Sequence, residues 1–392
     1  MKITAVIPLY KAESYIVETL NSIMAQTYPV DEVLVIDDCG PDRSAEVVEQ
    51  YSLTHPSVRL IRQLHNQGGS AARNRGMQEA KHDWILLVDA DDLLDATLVE
   101  KQINALRQWE QQDKADGEHP VSALHSAYVQ IDSESNIIAN SEYRGEQLSF
   151  NNLFGSLIVR NFIITPSGML VNKNVMQAIG GFRTYLKISE DFDFYLRLAR
   201  AGNILYIDEL LVKHRRHLAN VTENLGKSLQ AGQAIIRLYP PEEIEEAILR
   251  RSYSESKNKL DLAKVQFYLE EYEQGYQTLQ SIVNDEYPAS TLFMKAIYAI
   301  KHDNLQLASD YLQQLLHIDA NHIAALNNFA IIKAKQGEVE QAKALLQQCV
   351  SSIPGYLDGK YNLDLLESEN EPKHFKYTLR ELRANLLRYT SL

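Results

Sequence analysis

Cysteine is nearly absent. The 392-residue chain has two, Cys39 and Cys349, too far apart in sequence for a CxxC metal site and too few for a disulfide framework. Long apolar runs are missing as well: no stretch approaches the ~20 residues needed to span a bilayer. Met1–Tyr10 carries a short apolar run, but Pro8 interrupts it and Lys11 follows, so no signal peptide is expected. The expected location is the cytoplasm, with at most a peripheral contact at the inner face of the membrane. Basic residues are in deficit, 39 Lys and Arg against 52 Asp and Glu, for a formal net charge of -13. An acidic chain has no general attraction to phosphate backbones, so nucleic acid is not an expected partner. With 45% hydrophobic and 23% charged residues, the composition is globular rather than disordered or fibrous. The length suits two or three domains.

What is present falls into two halves with different periods. Through residue 220, short Val- and Ile-rich runs alternate with helical patterns. The runs are Thr4–Pro8, Glu32–Ile36, Val58–Ile61 and Trp84–Val88. Helices are expected between them at Glu13–Ala25, Ser44–Tyr51 and Ser70–Ala80. This βαβαβαβ order predicts a parallel sheet with helices on both faces, and ligands then bind beyond the carboxyl ends of the strands. Residues 110–120 read as a polar loop. Ser122–Asp132, Ile137–Tyr143 and Asn203–Arg215 read as further extended segments, and Pro240-Pro241-Glu242-Glu243 as a break followed by a helix start.

From about residue 258 the pattern is helical and repeats. Ala263, Ala296 and Ala330 form one series of small residues, and Gly275, Ala308 and Ala342 a second. The unit holding Leu326, Ala330, Gly337, Ala342 and Pro354 resembles the tetratricopeptide repeat, although Glu270 stands where the first unit would have its turn glycine. Small residues at these points let paired helices approach closely. An unrelated helical bundle remains the alternative. The last segment, 372–392, is basic. Its residues Phe375, Leu379, Leu382, Leu386 and Tyr389 fall at spacings of 3 and 4, which predicts an amphipathic helix. That helix would either cap the stack or meet a membrane surface or partner. The expected organisation is therefore a domain at 1–222, a helical linker at 223–257, helical repeats at 258–371 and the basic helix at 372–392.

Three acidic clusters lie at strand or helix ends: Asp37-Asp38, Asp89-Ala90-Asp91-Asp92 and Glu190-Asp191. Carboxylates so close together repel one another and are most comfortable around a cation; Mg²⁺ and Mn²⁺ are often shared between carboxylates and substrate phosphates. Each cluster could also be a turn or helix cap, which is the preferred reading for Asp42.

Taken together, the motifs of the first ~220 residues resemble family 2 glycosyltransferases, nucleotide-sugar enzymes of the GT-A fold. They are Val6-Ile7-Pro8-Leu9-Tyr10-Lys11-Ala12-Glu13, Ser22-Ile23-Met24-Ala25-Gln26-Thr27-Tyr28-Pro29, Val35-Ile36-Asp37-Asp38, Asn66-Gln67-Gly68 through Ala72-Arg73-Asn74, Asp89-Ala90-Asp91, Gly180-Gly181-Phe182 followed by Glu190-Asp191, and Arg215-Arg216-His217. They stand in the family's order. Lys11, Cys39, Pro41 and His214 depart from its usual residues.

The resemblance implies an α/β GT-A domain with a mostly parallel, mixed sheet, joined here to an all-α helical-repeat region. It implies transfer of a sugar, with inversion, from a nucleoside diphosphate, most simply UDP, to a hydroxyl of a glycan or lipid-linked acceptor, as in surface polysaccharide or glycoconjugate synthesis. Asp38 would accept the imide N–H of uracil, with Pro8, Tyr10 and Glu13 lining base and ribose. Arg73 would hold the base or a phosphate, and Asp89 the ribose or the metal's surroundings. Asp91 and His217 would hold Mn²⁺ or Mg²⁺. Asp191 would be the general base, already ionised at an ordinary carboxylate pKa, and Glu190 would position the acceptor. Acceptor choice would lie in loops at about 140–190. The repeats would take a protein partner or mediate self-association. Two rivals are a transferase-like scaffold without turnover and a nucleotidyltransferase; the latter usually has a Gly-rich loop after the first strand, and Pro8–Ala12 contains no glycine.

Overall fold

The computed structural model describes residues 1–111, 119–216, 225–368 and 374–381. It divides into two compact units, Met1–Ser252 and Tyr253–Leu392.

The first unit is built on a nine-stranded mixed sheet in the order β3-β2-β1-β4-β8-β6-β9-β5, with β7 paired to β6. The strands are β1 (Ile3–Leu9), β2 (Glu32–Asp37), β3 (Val58–Arg62), β4 (Trp84–Leu87), β5 (Leu93–Leu94), β6 (Val121–Ile131), β7 (Ile137–Tyr143), β8 (Met169–Asn172) and β9 (Asn203–Arg215). Strands β1 to β4 are parallel neighbours, as their alternation with α1 (Ile16–Met24), α2 (Ser44–Ser52) and α3 (Gly69–Glu79) requires. Every residue of β2 is buried, which is why these strands read as continuous apolar runs. Strand β8 runs antiparallel between β4 and β6. It lies in the stretch expected to be loops, which also holds α5 (Phe150–Val159) and α6 (Lys173–Ala178). Four residues of strand give too little periodicity to stand out in sequence. The remaining helices of this unit are α4 (Leu98–Gln111), α7 (Glu190–Ala201), α8 (Leu225–Ile236) and α9 (Pro241–Leu249).

The expected linker at 223–257 is divided by the domain boundary. Helices α8 and α9 belong to the first unit, with Pro241 at the start of α9. Ile244, Ala247 and Ile248 of α9 are buried, and a Cβ on Gly155 of α5 would lie 2.1 Å from the Ala247 carbonyl oxygen. The glycine is what permits the two helices to touch.

The second unit is all helical: α10 (Glu255–Tyr268), α11 (Tyr272–Gln280), α12 (Pro288–Lys301), α13 (Leu305–Ile318), α14 (Ile323–Lys335), α15 (Val339–Ser352) and α16 (Leu357–Glu367). Consecutive helices pack as the pairs α10/α11, α12/α13 and α14/α15. Both small-residue series lie inside: Ala263, Ala296, Ala308, Ala330 and Ala342 are fully buried, and a Cβ on Gly275 would meet the Phe267 ring at 2.4 Å. The turn within each pair repeats in detail. Glu270, Asp303 and Gly337 all have positive φ, at 66°, 54° and 87°. The N–H after each donates to a carbonyl five residues back: Glu271 to Gln266, Asn304 to Ala299, Glu338 to Lys333. This is the Schellman hydrogen bond that ends a helix at a left-handed residue.

The expected C-terminal helix is not found where it is described. His374–Glu381 is a strap without regular secondary structure, while 369–373 and 382–392 lie outside the described residues. Phe375 and Tyr377 are half-buried between exposed His374, Lys376 and Leu379, and Thr378 is buried. The inward alternation of Phe375 and Tyr377 is a strand period, not a helical one.

Candidate active site

The sheet brings the three acidic clusters to one edge. Pro8 pairs with Ile36 and Leu9 with Asp37, the Asp38 N–H donates to the Leu9 carbonyl at 3.0 Å, and the Val88 N–H to Val6 at 3.1 Å. The end of β1, carrying Tyr10, therefore stands between Asp38 and Asp89. Tyr10 is 47% exposed and Pro8 half-buried, as an open binding edge would require. Glu13 closes this edge by a crossed pair: its N–H donates to Asp42 Oδ2 at 3.1 Å, and its carboxylate accepts the Arg43 N–H at 3.0 Å.

Asp38 organises the loop before α3. Its carboxylate accepts Gln63 Nε2 at 2.7 Å, the Gln67 N–H at 2.7 Å and the Gly68 N–H at 2.8 Å. Asn66 Nδ2 donates to its carbonyl at 2.9 Å. The Asn66-Gln67-Gly68 motif is thus bound to the second aspartate of Asp37-Asp38, a tertiary link that neither motif shows alone.

Arg73, on α3, is the centre of the second cluster. Its buried guanidinium donates to Asp89 at 2.5 Å and stands 3.9 Å from Glu190. It lies over the Phe182 ring, 5.3 Å from the centroid. In this arrangement it neutralises carboxylates rather than standing open to a ligand. Among the described residues its Nε has no hydrogen-bond partner. Asp191 belongs to the same cluster. Burial pushes its carboxyl up to about 7, and the charges of Glu190 and Asp89 push the same way; the Phe192 N–H, 2.8 Å away, and Arg73 oppose them. The expectation of an ordinary carboxylate pKa is therefore corrected. At neutral pH this group sits near its midpoint, the range in which a carboxylate accepts protons best during catalysis.

Glu190 and Asp191 open α7 from Ser189, which has φ 58°. A non-glycine left-handed residue is held there by its surroundings, and these are visible. Asp193, fully buried, accepts Arg183 Nη1 at 2.9 Å, Arg197 Nε at 3.0 Å and Arg197 Nη2 at 2.7 Å. Arg197 Nη1 also donates to the Ile179 and Gly181 carbonyls. Gly180-Gly181-Phe182 is thus bolted to α7. Asp193, Arg197 and Arg183 were not singled out from the sequence; the i,i+4 spacing of Asp193 and Arg197 was the available signal.

Tyr195 and Ser167 were also missed. The Tyr195 hydroxyl is buried without a partner among the described residues; burial and the charge of Asp191 push its pKa well up. Ser167 Oγ accepts the Asp89 N–H at 3.1 Å. It also lines a cleft with His125, Tyr128, Tyr143, Ile163 and Val212. Burial lowers the His125 pKa to about 4, so this ring is neutral at physiological pH.

The four-residue acidic run has divided roles. Asp92 is fully buried and accepts the Arg215 N–H at 2.8 Å, with His214 Nδ1 3.2 Å away. Its carboxylate raises the His214 pKa against the effect of burial. Asp92 is thus a structural tie to β9. Asp91 is half-buried, and its carbonyl accepts Arg215 Nε at 2.7 Å. His217 lies outside the described residues. Among those described, no three His, Cys, Asp or Glu side chains converge to hold a metal ion. The hard oxygen donors of Asp91 and Asp89 suit Mg²⁺ or Mn²⁺, whose other ligands would come from water or phosphate.

Residues 4–142 match the family described as Glycosyl transferase family 2, and residues 84–235 match Glycosyl transferase family group 2. Over these residues the N-terminal unit is similar to family 2 glycosyltransferases. An uncharacterised glycosyltransferase of Rickettsia typhi is 25% identical to this chain over 237 residues, 59% of this chain and 70% of the relative. Glycosyltransferase GlyG of Streptococcus pneumoniae is 23% identical over 227 residues, covering 56% and 72%. Among solved structures, residues 1–349 of S. aureus TarS with UDP-GlcNAc superpose with a TM-score of 0.51 at 18% identity, covering 86% of this chain and 92% of that one. At that identity the likeness is one of fold. No helix among the described residues is long and apolar enough to cross a membrane.

Proposed function

We propose that this glycosyltransferase domain moves a sugar from a nucleoside-diphosphate sugar, a UDP-sugar by preference, to a hydroxyl of a glycan or lipid-linked acceptor, with inversion at the anomeric carbon. The carrying observation is the joining of Arg73, Asp89, Glu190 and Asp191 in one cluster, with the Asp191 carboxyl at about 7. The choice of UDP is supported by the TarS structures, whose bound molecules are UDP and UDP-GlcNAc. A role in surface polysaccharide synthesis is supported by two further relatives, a chondroitin synthase of Escherichia coli and a poly(ribitol-phosphate) beta-glucosyltransferase of Bacillus spizizenii.

In the proposed reaction the acceptor oxygen attacks the anomeric carbon from the side opposite the diphosphate. Its proton passes to the Asp191 carboxylate as the bond to the diphosphate oxygen breaks. Glu190, one residue earlier on the same helix turn, orients the acceptor. Arg73 supplies positive charge beside Asp89, on the side from which the donor's phosphates approach. Pro8, Tyr10 and Glu13 border the base and ribose, and Asp38 fixes the loop against which the base rests and offers its remaining acceptor capacity to the imide N–H. A divalent cation held by Asp91, with His217, would neutralise the leaving diphosphate. The cleft at Ser167 and His125 adjoins Asp89 and is assigned to the acceptor.

The test is donor hydrolysis across UDP-, GDP- and dTDP-sugars with Mn²⁺, paired with thermal shifts for UDP, Mn²⁺ and both together. Cooperative stabilisation by UDP plus Mn²⁺ and UDP-sugar turnover are expected. Binding without turnover of any donor would favour the scaffold reading.

A further inference from the structure

Lys187 lies in the loop that leads into α7, yet its ammonium stands over the loop that leads into α3. Its Nζ is 4.0 Å from where a Cβ on Gly68 would be. The side chain is exposed, and among the described residues it forms no ion pair and no hydrogen bond. An ammonium so close to the cluster of Asp89, Glu190 and Asp191 would gain by pairing with a carboxylate. Lys187 stands instead over a residue without a side chain, and the space beneath its charge is open.

The fold puts it there from both sides. Arg183 Nη1 is tied to the buried Asp193 at 2.9 Å, and the Leu186 N–H donates to the Arg183 carbonyl at 3.2 Å. That turn delivers Lys187, and Glu190 and Asp191 follow at the start of α7. On the opposite side Gly68 is held by Asp38, whose Oδ2 accepts its N–H at 2.8 Å.

These contacts order the site along one line. Asp38 binds Gly68, and Lys187 stands over it. At the next residue a Cβ on Gly69 would lie 3.2 Å from Arg73 Nη1. That same nitrogen is 3.9 Å from Glu190, the neighbour of Asp191. Lys187 therefore sits between the loop assigned to the base and the carboxylates assigned to the acceptor. In a nucleoside-diphosphate sugar, the diphosphate is what lies between the nucleoside and the anomeric carbon.

Charge points the same way. A diphosphate brings further negative charge to an edge already rich in carboxylates. Arg73 is engaged by Asp89 and Glu190, so attraction from the protein requires a second cation. A lysine ammonium is a point charge on a flexible stem, suited to following a phosphate oxygen. Helix α3 adds to the attraction, since it opens at Gly68 without a side-chain cap and its N-terminal dipole end favours an anion.

We propose that Lys187 is a donor-binding residue whose ammonium holds the diphosphate of the nucleotide sugar over Gly68. The assignment rests on the reading of this edge as a nucleotide-sugar site. It adds the residue by which the site tells a nucleoside diphosphate from a nucleoside.

The test is calorimetric titration of the full chain with UDP and with uridine, each in the presence of Mn²⁺. Lys187→Met should weaken UDP binding at least about tenfold, as loss of a hydrogen bond to a charged group implies, and leave uridine binding unchanged. Lys187→Arg should recover most of the UDP affinity. The side chain is exposed, so both variants should fold, which circular dichroism checks. Unchanged UDP affinity in Lys187→Met overturns the proposal. Equal weakening of UDP and uridine also overturns it, because Lys187 would then only support the loop. A wild-type chain that binds UDP no more tightly than uridine overturns it as well. Failure of the transferase reading has a different signature: UDP binding that depends on Lys187, with no turnover of any UDP-sugar, keeps the anchor and removes the enzyme.

Discussion

Asn74 takes both backbone groups of Phe182: its Nδ2 donates to the Phe182 carbonyl at 2.7 Å, and its Oδ1 accepts the Phe182 N–H at 2.8 Å. The residue before, Gly181, has φ 65°, and a Cβ there would lie 2.4 Å from Asn74 Oδ1. The amide, the glycine and the bend form one joint between α3, which carries Arg73, and the segment leading to Glu190 and Asp191. Two motifs more than a hundred residues apart are thus two halves of a single contact.

Asn74→Ala should lower stability by about 1–3 kcal/mol, because Phe182 loses both partners. It should also reduce transfer, since the joint sets Arg73 against Glu190. Denaturant melts and initial rates check both. Unchanged values would mean that the joint does not position the cluster.

Asp191→Asn should leave nucleotide binding nearly intact and reduce transfer by at least ~10²-fold. With the carboxyl at about 7, wild-type activity should rise with pH through that value as the base ionises. The linkage has the opposite sign for stability. A folded-state pKa above the ordinary 3.8 favours the protonated form, so its contribution is complete below 3.8 and is lost as pH rises through about 7. Relative to Asp191→Asn, the unliganded wild type should therefore lose stability between pH 4 and about 7. A flat activity profile across this range would remove Asp191 as the base.

Asp91→Ala should abolish any synergy between Mn²⁺ and UDP in thermal shifts, and EDTA should stop transfer until Mn²⁺ or Mg²⁺ is restored. Full activity in EDTA would leave Asp89-Ala90-Asp91-Asp92 as the turn that ties β4 to β9 through Asp92 and Arg215.

Glu270 and Asp303 hold the left-handed turn conformation that Gly337 adopts without strain. Glu270→Gly and Asp303→Gly should each stabilise the second unit by about 0.5–1 kcal/mol, raising its melting temperature. A lower melting temperature would show that the Glu270 or Asp303 side chain contributes more than its backbone conformation costs.

The strands β1 to β4 were legible because burial on both faces writes them as apolar runs, and the acidic clusters because they follow those runs. Strand Asn203–Arg215 was read to its ends. What could not be read were polar residues whose meaning lies in a distant partner: Asp38 on the Gly68 N–H, Asn74 on Phe182, Asp193 on Arg183, Ser167 on Asp89. The motif singled out Asp191 but not its proton affinity, since burial beside Glu190 is a property of the fold. The strap failed for another reason. Phe375 and Leu379 match a helical spacing, yet Asn328 and Asn362 bind the backbone groups of Lys376 and Thr378 that a helix would need for itself.

The domain boundary gives the last prediction. The sequence ends the first domain at residue 222, so on that reading a chain ending near Tyr239 should keep nucleotide binding. The structure moves that limit, because α9 packs on α5 with Ile248 fully buried and Ile244 and Ala247 nearly so, and Gly155 is shaped to receive Ala247. Removing α9 exposes these side chains and the face of α5 beneath them. Fully burying an aliphatic side chain is worth roughly 1.5–3 kcal/mol, so losing two isoleucines alone removes a large part of a typical domain stability of about 5–15 kcal/mol. A chain ending at Ser252 should fold, bind UDP and hydrolyse donor slowly. One ending at Tyr239 should melt at clearly lower temperature or aggregate. Circular dichroism and thermal shifts with UDP on the two fragments decide it. Equal melting temperatures would show that α9 is an appendage, and that the transferase domain is complete without it.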